Sequence, residues 1–236
     1  MSLAQAFDEV ERRMRSAAER SGRKASDVLL VAVTKKKDIS FINEYEQLAT
    51  SRGIAVAIGE NYLQELKRKR PGLHPGSLVH MIGPLQSNKV RDAVALSDVI
   101  ESVHSIKVLD LIARYARESG KRQEIFLQIN IGHEAQKSGF SIEELGMAVR
   151  RAGELTSCIS LKGLMAITPY CDNPEDARPY FREMASIRER LRTEGLTGLF
   201  NNATILLSMG MSADFDVAIE EGADVVRVGT ALFGER

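Results

Sequence analysis

The sequence predicts an α/β fold, a single (β/α)8 TIM barrel with an extra N-terminal helix. Three observations predict it. Short apolar runs alternate with helical patterns eight times along the chain, the pattern of a parallel sheet with helical crossovers. The 236 residues suit one barrel, a unit of roughly 200–250 residues. Apolar residues make up 44%, enough for a large core without disulfides. An open doubly wound sheet is the structural alternative, disfavoured because no GxGxxG follows the first strand. No linker rich in Pro, Gly or Ser interrupts the chain, so residues 1–236 are read as one domain.

The elements follow in order. Leu3, Phe7, Val10, Met14 and Ala17 recur at helical spacing and Gly22 stops the helix. VLLVAVT (28–34) is apolar and β-branched without a break, as in a strand buried on both faces. A helical pattern over 39–51 leads to a second strand at IAVAIG (54–59). The charged helix YLQELKRKR ends at Pro71-Gly72, before a third strand at SLVHMIG (77–83). Residues 87–96 read as a helix and DVIESV (98–103) as the fourth strand. Val108, Leu111, Ile112 and Tyr115 share one helical face, and EIFLQINI (124–131) is the fifth strand. A helix over 141–153 precedes the sixth strand, SLKGLMAI (160–167), and a long helix spans 175–194. ATILLSMG (203–210) is the seventh strand, a short helix runs to Glu221, and ADVVRVGT (223–230) is the eighth.

Lys+Arg and Asp+Glu both number 32, so the net charge is zero and no nucleic-acid or membrane partner is expected. The opening MSLAQAFDEVERRM is charged and is not a secretory signal, and no apolar run approaches a membrane span. Cys158 and Cys171 match no metal-ligand spacing. Two thiols in so long a chain point to a reducing compartment, and the protein is expected in the cytoplasm.

Barrel active sites lie at the C-terminal ends of the strands. The candidate strand ends are Thr34-Lys35, Gly59-Glu60-Asn61, His80 with Gly83, Glu101-Ser102, Asn130, Met165, Ser208-Met209-Gly210, and Arg227 through Thr230. Strands seven and eight are where barrels often hold phosphate. SMGMS offers Gly210 for close approach, with the Ser208 and Ser212 hydroxyls, and Gly229-Thr230 repeats the theme. Read blandly, these are turn glycines and caps. A lysine at the end of strand one, desolvated in the barrel mouth, could attack a carbonyl and form a Schiff base. Lys35-Lys36-Lys37 read equally as a solvated triplet, and strand parity alone does not choose among them. Arg227 interrupts VVRVG in a buried strand and needs an acceptor, either a structural carboxylate or a ligand. His80 reads as a core histidine or as a residue of the mouth.

Together these segments resemble the YggS/PROSC family of pyridoxal phosphate homeostasis proteins, whose fold is like the N-terminal barrel of alanine racemase. The likeness runs from LLVAVTK (29–35) through GENYLQEL (59–66), HMIGPLQSNK (80–89), QINIGHEAQKSGF (128–140), GLMAI (163–167) and LSMGMSADFDVAIEEGADVVRVG (207–229) to RVGTALFGER (227–236). The resemblance implies that Lys35, after Val33-Thr34, carries pyridoxal 5′-phosphate as a Schiff base. It implies that Ser208, Gly210, Gly229 and Thr230 cradle the phosphate, that Arg227 faces the pyridine nitrogen, and that Asn61 and His80 line the mouth. Three positions depart from the family pattern. Ile58 stands where an aromatic is usual, Val79 where tryptophan precedes the histidine, and Asp38 where proline is common. The first two are expected to alter packing near the mouth.

The implied role is intracellular pyridoxal phosphate homeostasis and delivery, with apo enzymes that use the cofactor as transient partners. A permanently cationic arginine disfavours protonation of the ring nitrogen and weakens the ring as an electron sink. The sequence runs about six residues past its eighth strand, so the β-rich second domain of alanine racemase is not expected. A two-base racemase needs an opposing acid or base. The favoured expectation is therefore a non-catalytic carrier, and the alternative is a low-activity amino-acid racemase dependent on the same cofactor.

Overall fold

The computed structural model describes residues 2–132, 134 and 138–234. The N-terminal helix α1 (Leu3–Arg20) starts at a reciprocal cap. Gln5 N donates to Ser2 Oγ at 3.2 Å and Ser2 N to Gln5 Oε1 at 2.9 Å, satisfying two amides that the helix start leaves open. Its buried stripe contains Leu3, Phe7, Val10, Met14 and Ala17, the positions that the spacing marks.

Eight parallel strands then alternate with helices. They are β1 (Leu29–Val33), α2 (Ile39–Ser51), β2 (Ala57–Glu60), α3 (Leu63–Lys69), β3 (Leu78–Met81), α4 (Val90–Leu96), β4 (Val99–Val103) and α5 (Ile106–Glu118). There follow β5 (Gln123–Ile129), α6 (Ile142–Glu154), β6 (Ile159–Ala166), α7 (Arg178–Thr193), β7 (Leu206–Met211), α8 (Phe215–Glu220), β8 (Val225–Val228) and α9 (Thr230–Phe233). Each strand pairs with the next and β8 closes on β1, giving the expected closed barrel. No helix among the described residues is long and apolar enough to cross a membrane.

Alternation along the strands divides the apolar residues into two sets. Val31, Ala57, Val99, Phe126, Met165 and Val225 fill the barrel interior. Leu30, Ala32, Ile58 and Val79 belong to the larger cluster between strands and helices. That division corrects the expectation for two departures. Ile58 and Val79 are fully buried against the helical layer and do not shape the mouth.

Several boundaries also move. The second strand starts at Ala57 rather than 54, and the seventh at Leu206 rather than 203. Residues 201–203 form a 3-10 turn in which Asn202 and Ala203 have positive φ, a conformation that asparagine tolerates better than most residues. The helix α9 is absent from the sequence reading, because its four residues are too few to show a period.

Candidate functional site

β1 delivers Lys35 to the C-terminal rim. Leu29 and Val31 face the interior, the strand ends at Val33, and Lys35 follows two residues later in a turn, half-buried. The turn over 34–37 is tied down at several points. Thr34 N donates to Gly59 O at 3.0 Å and Lys37 N to Thr34 O at 3.1 Å. Thr34 Oγ1 donates to Glu60 Oε1 at 2.6 Å, Lys36 N to Glu65 Oε2 at 2.7 Å, and Lys69 Nζ to Thr34 O at 2.7 Å. Lys69 also bridges Glu60 at 2.7 Å and Glu65 at 3.2 Å. Burial raises the Glu60 carboxyl above its ordinary range, while Lys69 and Thr34 oppose that rise.

The three lysines of the triplet have different surroundings. Lys36 is exposed with φ 60°, a strained left-handed conformation for a lysine. Lys37 Nζ donates to Phe233 O at 2.7 Å and Gly234 O at 3.3 Å, at the end of α9. Lys35 opens the turn that follows β1 and is half-buried, between the buried Thr34 and the exposed Lys36.

Beneath the rim a polar chain crosses the barrel. His80 Nδ1 lies 2.6 Å from Glu101 Oε1, and Ser208 Oγ donates to Glu101 Oε2 at 2.6 Å. Arg227 Nη1 donates to Ser208 Oγ at 2.6 Å and Nη2 to Ala166 O at 2.8 Å, with Glu101 Oε2 3.8 Å away. All four side chains are buried. Burial alone would raise the Glu101 pKa, but His80, Arg227 and Ser208 hold it below the ordinary 4.5. Burial lowers the pKa of Arg227, and the Glu101 and Asp214 charges resist that. The guanidinium thus has Ser208 Oγ and Ala166 O as acceptors and the Glu101 carboxylate as a nearby counter-charge.

The ends of β7 and β8 form two turns beside Lys35. The β7–β8 register slips between Ser208 and Met211, where Gly210 adopts φ +88°. A Cβ there would stand 2.5 Å from Ala218 Cβ, so only glycine fits. Ser212 Oγ accepts from Gly229 N at 3.0 Å and Ala231 N at 3.3 Å, stitching the two turns together. A Cβ on Gly229 would lie 3.3 Å from Val33 Cβ, so this turn and the Lys35 turn are neighbours.

The sequence-selected residues therefore divide by depth. Lys35, Asn61 and Gly229 are half-buried at the rim, Thr230 is exposed there, and Gly210 is buried at the β7 turn. Gly83 holds Asn61 close, since a Cβ on it would sit 2.0 Å from Asn61 O. Ser208, Arg227 and His80 lie lower, and the Ser208 hydroxyl is engaged by Glu101 and Arg227. His80 stands beneath the rim with its Nδ1 on Glu101, on the side of the barrel away from Lys35. His133 and residues 135–137 of the QINIGHEAQKSGF segment, and residues 235–236 of the last motif, lie outside the described residues. Sequence reasoning noted Glu101 only as a strand end and missed the supporting roles of Glu60, Glu65 and Lys69. The available signals were a carboxylate ending a buried strand and a Glu–Lys pair at i,i+4. Among the described residues no cluster of His, Cys, Asp or Glu is arranged to hold a metal.

The family model "alanine racemase, N-terminal domain" matches residues 7–236. A pyridoxal phosphate homeostasis protein of Aquifex aeolicus is 38% identical over 100% of this chain and 99% of its own. One of Pseudomonas aeruginosa is 37% identical over 100% of this chain and 96% of its own. Among solved structures, PipY of Synechococcus elongatus with pyridoxal phosphate bound is similar at TM-score 0.83 and 28% identity, covering 99% and 100% of the two chains. An alanine racemase of Clostridium difficile shares the fold at TM-score 0.68 and 16% identity, with 99% of this chain matching 56% of that one.

Proposed function

The chain belongs to the alanine racemase N-terminal domain family and, within it, to the YggS/PROSC pyridoxal phosphate homeostasis proteins, and from that membership we propose that it binds pyridoxal 5′-phosphate reversibly as a Schiff base on Lys35. The observation that carries this reading is a juxtaposition: the pinned turn of Lys35 stands beside the glycine turns of β7 and β8, above buried Arg227. The donor set fits the cofactor. A half-buried lysine supplies the amine, and two glycine turns, of which the one at Gly210 admits no side chain, supply close backbone approach to a phosphate. The cofactor, when bound, supplies an aldehyde for condensation with amines and a ring able to store electrons.

Each chain residue then has a part. Gly210, Gly229 and Thr230 would hold the phosphate. Ser208 contributes its backbone there, while its hydroxyl fixes Arg227. Arg227, tied to Glu101 and Ser208, would present a permanent cation to the ring nitrogen and disfavour its protonation. Asn61 would line the mouth opposite, and His80 would steady Glu101 from below.

We assign the protein to cofactor homeostasis and delivery in the cytoplasm, with apo enzymes as transient recipients. The free thiols Cys158 and Cys171 support a reducing compartment. Exposed Phe41, Tyr62, Ile167, Tyr170 and Met211 all follow or end strands at the C-terminal rim and support docking of an acceptor protein there.

Purified protein incubated with pyridoxal phosphate is expected to show the visible absorbance band of an imine and to reactivate an added apo-aminotransferase. Lys35→Ala is expected to lose the band. A band that persists in that variant contradicts the assignment. Solvent deuterium at Cα, followed across a panel of amino acids, separates the carrier, which exchanges none, from a weak racemase, which does.

A further inference from the structure

A cavity of about 620 Å³ opens at the face of the barrel opposite Lys35, among the N-terminal ends of the strands. This volume is within the range of small-molecule sites. Its walls are apolar: Leu78, Val99, Phe126, Leu206 and Val225. One polar group stands at its inner end. His80 lines the cavity with its side chain only 3% exposed. The Glu101 carboxylate takes His80 Nδ1 at 2.6 Å, which fixes the ring and places a proton on Nδ1. Nε2, on the other side of the ring, is buried without a hydrogen-bond partner. Buried polar atoms are rarely left so, and each asks for an explanation.

The ligand chemistry follows from these features. Nε2 accepts in the neutral ring and donates in the cationic one, and a hydroxyl answers both. The apolar walls call for an aromatic or branched aliphatic body. The charges stand at the opening: Glu124 pairs with Lys162 at 3.2 Å, Asp224 with Arg23 at 2.9 Å and Glu11 with Arg52 at 2.5 Å, and Arg15 is exposed there. Deeper in, the wall presents His80 among apolar side chains, so the buried part of a ligand is neutral.

We propose that the N-terminal face of the barrel is a second ligand site, for a small neutral apolar molecule whose hydroxyl meets His80 Nε2. The site does not rest on the pyridoxal phosphate reading and is tested on protein free of that cofactor. The probe is p-cresol, titrated into protein labelled with ¹⁵N-histidine, with the His80 ring nitrogens assigned by a His80→Asn variant. The expected result is a saturable shift of the His80 Nε2 resonance. Leu78→Trp, at the partly exposed edge of the cavity, is expected to weaken binding at least about tenfold. Leu206→Phe, which fills the cavity from β7, serves if Leu78→Trp does not fold. No saturable shift, or a shift indifferent to the filling variant, overturns the proposal. So does an Nε2 that shows magnetisation transfer to water alone.

Discussion

Glu101 accepts from both ends of the buried polar chain, from His80 through one oxygen and from Ser208 through the other, with Arg227 beyond. Removing it by Glu101→Ala leaves the buried guanidinium without its nearest counter-charge, and chemical denaturation should show a loss of about 3–5 kcal/mol. The pH dependence has a definite sign. A carboxylate held below the ordinary 4.5 binds fewer protons in the native state than in the unfolded chain. Its contribution is complete above that value and disappears as pH falls through the lowered native pKa. The stability gap between wild type and Glu101→Gln should therefore hold at neutral pH and close in acid, and a gap that grows in acid would refute the lowered pKa. At Lys36 the left-handed φ of 60° costs about 1–2 kcal/mol for a side-chain-bearing residue. Lys36→Gly should thus melt no lower than wild type while keeping the absorbance band of the cofactor complex. Much of this scale was legible. An arginine inside VVRVG announces a need for an acceptor. That the acceptors are Ser208 and the Ala166 carbonyl, with Glu101 from four strands away as counter-charge, was not legible, because no local pattern says which residues of distant strands share a height. The lysine triplet was not separable by parity, because the strand stops at Val33 and the triplet lies in the turn beyond it.

Among the elements, the β7 and β8 turns are the most constrained. Gly210 combines φ +88° with a neighbour 2.5 Å from any Cβ, so Gly210→Ala meets both strain and overpacking. Calorimetry should record a loss of about 1–3 kcal/mol, and affinity for pyridoxal phosphate should fall at least about tenfold. Unchanged affinity would remove the β7 turn from the site. The Lys35 turn depends on α3 in another way. Lys69 joins Glu60, Glu65 and the Thr34 carbonyl, so Lys69→Met should weaken cofactor binding from a distance and leave the absorbance maximum in place. The strands were legible as elements because parallel strands buried on both faces read as unbroken apolar runs. Their ends were not, since the same apolar residues continue into the loops at 54–56 and 203–205. The glycine turns could be located from strand order, but the Ser212 bonds that join them arise from a register slip that no spacing reveals.

At the scale of the molecule, the strand ladder closes without an edge, and one large apolar cluster runs between strands and helices from α1 to α9. We accordingly propose one domain over residues 1–236, which should unfold in a single transition with coincident far- and near-ultraviolet circular dichroism midpoints. The barrel class was legible because alternation repeated eight times leaves few other topologies. The polar layer inside it was not, for it exists only once the barrel is closed. That closure sets Lys35 beside the β8 turn and above Arg227, and the account stands or falls on that lysine. The direct measurement is borohydride reduction of the protein–pyridoxal phosphate complex, followed by peptide mapping. The added phosphopyridoxyl mass should fall on Lys35 alone. Its appearance on Lys36, Lys37 or a remote lysine, or on none, would contradict the account.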